Sequence, residues 1–180
     1  KGFPAYMQDF KGKKIGVTSR GSGTEIWMAW MLQKAGIKPE DVSFVAVGGP
    51  ATAYGALVSK QVDALMMFNP MGAMCEVLKT CKVIYRAATD PQPAEMFALN
   101  GGGNGLFFMQ DYIDKNPQVI EAVIRAMKEA EAFINNPANF DEVNKIAAQF
   151  SKFDMPKGDE ILSTALRSTM PFACQNGKPV

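Results

Sequence analysis

In the first half of the chain, a short apolar run passes through a turn rich in Gly, Ser or Pro into a helical pattern, and the sequence repeats this three times. No other feature limits the available folds as tightly. The run Lys14-Ile15-Gly16-Val17-Thr18 breaks into Ser19-Arg20-Gly21-Ser22-Gly23-Thr24 and enters an amphipathic stretch over 25–35. Residues 41–47 read as a buried strand, Gly48-Gly49-Pro50 as a turn and 51–60 as a helix. Residues 62–68 form a third strand, closed by Asn69-Pro70, before a short helix to Leu78 and a further strand over 82–85. Alternation of this kind calls for a mostly parallel sheet with helices on both faces. Ligands in such sheets bind beyond the carboxyl ends of the strands. Here those ends are Thr18-Ser19, Val47-Gly48-Gly49 and Phe68-Asn69, three loops expected on one rim.

The character changes after Arg86. Residues 87–104 are rich in Pro, Gly, Asn and Gln without helical or strand periodicity, which predicts a hinge or crossing segment. Residues 105–109 read as a short strand. From Pro117, a proline placed for a first helical turn, Val119, Ile120, Val123, Ile124 and Met127 are spaced for one buried helix face. Asn135-Asn136 ends that helix, Pro137 opens the next toward Phe150, and Pro156 opens a third through Ser168.

The first strand-to-helix junction is the candidate site. A helix start leaves N–H groups without intrahelical partners and carries the positive end of the dipole, so it can seat a small anion. Gly21 and Gly23 permit positive φ and close backbone approach, and the hydroxyls of Ser19, Ser22 and Thr24 can cap the helix or bind a ligand oxygen. Arg20 reads either as the charge partner of an anion or as a solvated loop residue. The segment matches neither the P-loop nor the dinucleotide fingerprint.

Composition closes several other routes. The chain has 180 residues, 47% of them hydrophobic, a formal charge of +1 and no histidine. It can bury a core, and its scattered cations argue against nucleic acid as a partner. Without histidine, Ser-His-Asp and Cys-His catalysis and the commonest transition-metal ligand are removed. No cofactor or metal is expected. Trp27, Trp30, Met28 and Met31 read as core packing against the sheet, as do Met66, Met67, Met71 and Met74. Asp63 reads as a residue that caps local backbone, and Glu129 and Glu131 as part of a solvated face. Cys75, Cys81 and Cys174 cannot all pair within one chain; Cys75 with Cys81, or either with Cys174, remains open in an oxidising compartment, and reduced cysteines are the expectation.

These segments also resemble a known family. The run Phe10-Lys11-Gly12-Lys13-Lys14-Ile15-Gly16-Val17, the turn Gly21-Ser22-Gly23-Thr24, the helix end Leu32-Gln33-Lys34-Ala35-Gly36-Ile37, and Gln61-Val62-Asp63-Ala64 followed by Phe68-Asn69-Pro70 resemble substrate-binding proteins of bacterial ABC importers. The similarity is to the nitrate, sulfonate, taurine and thiamine-precursor binders. Phe107-Phe108-Met109, Asp111-Tyr112-Ile113 and Asn116-Pro117 resemble the return strand and helix of the same group.

The resemblance implies a type 2 periplasmic-binding-protein-like α/β fold: a nearly complete second lobe over 11–89, a crossing segment over 90–105 and the returning helical part of the first lobe over 106–180. It further implies capture of a small anionic or organic solute between two lobes and delivery to a membrane permease, in the periplasm and without enzymatic turnover. Thr18, Ser19, Arg20, Gly21, Ser22, Gly23, Thr24, Gly48, Gly49 and Asn69 would line the ligand. Asn69 replaces the acidic residue many relatives carry there, which speaks against a cationic ligand. The alternatives are an enzyme of thiamine-precursor biosynthesis on the same scaffold and, because Gly21-Ser22-Gly23-Thr24-Glu25 also resembles that group, the receptor of a tripartite ATP-independent transporter. The resemblance implies that half of the first lobe lies upstream, so the chain is expected to be a fragment. Its helices beyond Pro117 then need another cover, and dimerisation, element exchange or an exposed apolar patch is expected.

Overall fold

In a computed structural model of the chain, residues 2–87, 90 and 106–169 are described. The chain divides into two compact units, Lys1–Gln92 and Pro93–Val180. The crossing segment expected over 90–105 lies outside the described residues except for Asp90, as does Cys174.

The first unit is built on a parallel three-stranded sheet of order β2-β1-β3, with β1 at Lys14–Val17, β2 at Ser43–Ala46 and β3 at Ala64–Leu65. The register sets Ile15 beside Phe44 on one side and Ala64 on the other. Helices α1 (Gly23–Lys34), α2 (Pro50–Val58) and α3 (Met71–Leu78) each follow a strand. Because β1 leads through α1 to one neighbour and β2 leads through α2 across β1 to the other, right-handed crossovers put α1 and α2 on opposite faces. Ile15 and Val17 of β1, Met28, Met31 and Leu32 of α1, Ala53 and Ala56 of α2, and Met71, Ala73, Met74 and Val77 of α3 are buried and form the core. Met28, Met31, Met71 and Met74 thus pack as expected, while Met66 and Met67 are only half-buried. The tryptophans flank the core: Trp30 is half-buried and stacks on Phe3 with ring centroids 6.5 Å apart. Asp63 caps the sheet at its entry, its Oδ2 accepting the Lys14 N–H at 2.8 Å.

Three expectations for this unit need correction. β2 is not a buried strand over 41–47: it is shorter and only half-covered, because it lies at the edge of the sheet. Residues 82–85 add no strand. A Cys75–Cys81 disulfide, with Cα atoms 4.7 Å apart, fastens the start of that segment to α3, and an Arg86–Glu76 ion pair fastens its end to the same helix. That disulfide is the third correction, since reduced cysteines were expected. Cys75 on α3 and Cys81 just beyond the helix end are brought within bonding distance by the chain reversal at Lys79, which adopts φ 57°.

The second unit contains α4 (Gln110–Lys115), α5 (Pro117–Asn135), α6 (Phe140–Phe150) and α7 (Gly158–Thr169). Residues 106–109 are not a strand: no strand among the described residues ladders with them, and Phe107 is 89% exposed. Val143 of α6 packs with Ile161, Leu162 and Ala165 of α7, and the Arg167 guanidinium lies 3.8 Å from the Phe140 ring centroid. On α5 the apolar stripe is present but only partly covered. None of its residues is buried, and Ile124 and Met127 are about half exposed at 49% and 54%.

Candidate functional site

All three strands are parallel, so their carboxyl ends and the N-termini of the helices that follow them share one edge of the sheet. In a sheet of order 2-1-3 the connections diverge between β1 and β3, which makes that crevice the favoured ligand position. The Thr18–Thr24 turn forms one wall. Continuing the β1–β3 register along Met66, whose N–H donates to the Gly16 carbonyl at 2.9 Å, brings Phe68 and Asn69 to the other wall.

Within the turn, three hydroxyls converge. Thr24 Oγ1 accepts the Thr18 N–H at 3.0 Å, lies 3.0 Å from Thr18 Oγ1 and lies 2.8 Å from Ser22 Oγ. A hydroxyl has one proton and two lone pairs. Thr24 therefore spends both lone pairs on the Thr18 N–H and one neighbouring hydroxyl, and its proton on the other. Whichever of Thr18 or Ser22 accepts that proton keeps its own free to donate elsewhere. Ser22 is the N-cap of α1 but makes no capping hydrogen bond, so capping does not account for these hydroxyls. The first turn of α1 adds N–H groups without intrahelical partners and the positive end of the dipole.

The remaining expected residues occupy distinct places. Gly21 adopts φ +74°, and its N–H donates to Glu25 Oε2 at 2.8 Å. Arg20 Nε donates to the same oxygen at 2.9 Å. These two donors, Arg20 first, hold the Glu25 carboxyl below the usual carboxylate range. Glu25 is the residue sequence reading missed: it lies one helical turn past Gly21, and an acid in the first turn beside a loop arginine is a local signal that could have revealed it. Gly48, at φ +75°, gives its N–H to the Thr18 carbonyl at 3.1 Å, and a Cβ there would lie 2.7 Å from Thr52 Oγ1. It joins the ends of β1 and β2, with its N–H already committed. Gly49 is the N-cap of α2, while Asn69, exposed, leads through a cis peptide into Pro70, the N-cap of α3. Ser19 is exposed at the crest of the turn, its carbonyl accepting the Ser22 N–H at 3.2 Å, and Gly23 opens α1.

Comparison with known proteins places this geometry in context. A family model described as NMT1/THI5 like matches residues 5–139. A protein of Brucella abortus (strain 2308), named as a candidate binding protein, is 31% identical over 82% of this chain and 44% of its own length. The nitrate/nitrite binding protein NrtA of a Nostoc species is 28% identical over 85% of this chain and 33% of its own. Among solved structures, the alkanesulfonate-binding protein SsuA from Xanthomonas axonopodis pv. citri, bound to MOPS, superposes with a TM-score of 0.64 at 20% identity, covering 89% of this chain and 50% of that one. The chain spans less than half the length of these curated relatives.

Proposed function

The chain belongs to the NMT1/THI5-like family and has the α/β fold of periplasmic solute-binding proteins, and from that premise we propose that it is the solute-capturing part of an ABC-type importer. The solute is small and presents an anionic, oxygen-rich group, and the captured molecule passes to a membrane permease. One observation carries this reading: at the end of β1 the Thr18, Ser22 and Thr24 hydroxyls converge beside the start of α1, with one hydroxyl proton left to donate. The first turn of α1 adds N–H groups without intrahelical partners, and the nearby Glu25 Oε2 is engaged by Arg20 and Gly21. Such an array stabilises a bound oxyanion most when lobe closure excludes water.

Thr18, Ser19, Ser22, Gly23 and Thr24 supply the donors in this proposal, Gly21 shapes the turn, and Gly48, Gly49 and Asn69 form the neighbouring walls. In this proposal the lobes are 11–89 and 106–180. NrtA is named for nitrate and nitrite and SsuA for alkanesulfonates, which fits an oxyanion cargo. The Cys75–Cys81 disulfide supports a periplasmic location, because disulfides persist in oxidising compartments. Binding without turnover fits a turn whose carboxylate is already engaged by two donors.

A thermal-shift panel on the full-length protein, with nitrate, ethanesulfonate and a hydroxymethylpyrimidine as probes, tests the reading. A cognate probe at a hundredfold excess over its dissociation constant adds about 2.7 kcal/mol. Thr24→Val removes the oxygen that organises the three hydroxyls and is expected to abolish most of that gain. No shift with either anion, a shift with the neutral hydroxymethylpyrimidine alone, or an undiminished shift in Thr24→Val, overturns the proposal.

A further inference from the structure

Arg20 is the cation closest in sequence to the proposed anion site, yet its guanidinium is engaged elsewhere. Nε pairs with Glu25 Oε2 at 2.9 Å, and that oxygen also receives the Gly21 N–H at 2.8 Å. On its other side the guanidinium reaches β2: Nη1 donates to the Phe44 carbonyl at 3.5 Å and Cζ lies 6.0 Å from the Phe44 ring centroid. The ladder parity identifies which side of β2 this is. Ser43 and Val47 donate to Lys13 and Val17, so alternate residues face β1 and the Phe44 carbonyl points to the open edge of the sheet. A single side chain thus runs from the turn, across the start of α1, to the far side of the edge strand.

We propose that Arg20 and Glu25 form a strap that fixes the Ser19–Ser22 turn against α1 and β2, positioning the donors of the site without contacting the solute. The effect on solute binding rests on the reading given above; the strap itself does not. Two independent anchors support it. Glu25 binds both the arginine and the backbone of the turn, and the arginine reaches the Phe44 carbonyl of the edge strand. Glu40, from the segment before β2, lines the same surface groove as Arg20, Glu25 and Phe44, and is the other acid facing the pair there. Because the Glu25 carboxyl titrates below its ordinary range, the strap is intact at neutral pH and loosens as pH falls through that depressed value.

The alternative, direct contact between Arg20 and the anion, predicts effects of opposite sign. Glu25→Gln would free the guanidinium and remove a negative charge, so nitrate and ethanesulfonate would bind more tightly. With a strap, Glu25→Gln and Arg20→Ala each weaken binding of the cognate probe about tenfold, the scale of one charge-assisted hydrogen bond. The double variant is no weaker than either single one, because both remove the same device. Arg20→Lys, which keeps the charge but loses the fork that reaches Glu25 and Phe44 together, behaves as Arg20→Ala.

Titration calorimetry on the full-length protein and its variants supplies these affinities. Amide exchange at Gly21, measured without solute, supplies the second readout. Protection at Gly21 is expected to fall in all three single variants, and in the unsubstituted protein as the medium is acidified. Tighter binding in Glu25→Gln, or unchanged Gly21 protection in Arg20→Ala, overturns the strap. If neither anion binds the unsubstituted protein while Gly21 protection responds as expected, the strap stands and the transport reading falls.

Discussion

Gly16 occupies the middle of the central strand, where a glycine ordinarily weakens a sheet. Its reason is a close approach: a Cβ there would run into Leu65 and come within 3.1 Å of Val47. Gly16→Ala is therefore expected to destabilise the fold by about 1–3 kcal/mol through overpacking. Adding Leu65→Ala should recover part of the loss, which a urea titration of the single and double variants measures. This requirement was hidden in the sequence because it depends on side chains from β3 and from the residue just after β2 converging on one point. Asp63 was readable as a backbone cap but not its partner, which is the Lys14 N–H of another strand rather than local backbone, while Gly21 and Gly48 were readable as turn glycines because positive φ is a local demand. The roles of Arg20 and Gly48 were not, since the arginine's partners span α1 and β2 and the Gly48 N–H is taken by Thr18.

At the scale of elements, β1 with α1, β2 with α2, and α3 all follow from local pattern and turn chemistry, and the structure contains each within a few residues of expectation. The expected strand at 82–85 failed because a covalent link overrides strand propensity: fastened to α3 at Cys81 and again at Arg86, the segment cannot move into the sheet. Removing the disulfide by Cys75→Ser with Cys81→Ser is expected to cost about 2 kcal/mol, the loop-closure contribution of a short ring. The fall in urea midpoint measures this. A thiol titration of the unsubstituted protein under denaturing, non-reducing conditions should find one reactive group, Cys174; finding three would overturn the pairing.

For the whole molecule, the part-covered stripe on α5 has the largest consequence. Ile120, Val123, Ile124 and Met127 carry the helical spacing of a buried face, yet none of them is buried: Ile120 and Val123 are half-covered, and Ile124 and Met127 are exposed. Periodicity reports that a face is apolar; it does not report what lies against it. We propose that this chain by itself self-associates or exchanges elements through that face. Sedimentation equilibrium should show mass rising with concentration, and Ile124→Glu with Met127→Glu should restore the monomer. A monomer at every concentration without the substitutions, binding no hydrophobic dye, would contradict this.

The central position of β1 also bears on redesign. A strand flanked on both sides, with Val47 and Leu65 meeting over Gly16 and Gly48 bound to Thr18, leaves little room for sequence variation at its carboxyl end. The turn at Phe68-Asn69 has both residues exposed and follows a two-residue strand. If the proposed oxyanion site holds, a library built to redirect this scaffold should keep 16–18 constant and diversify 68–69, so that the proposed charge contacts stay while the opposite wall is rewritten.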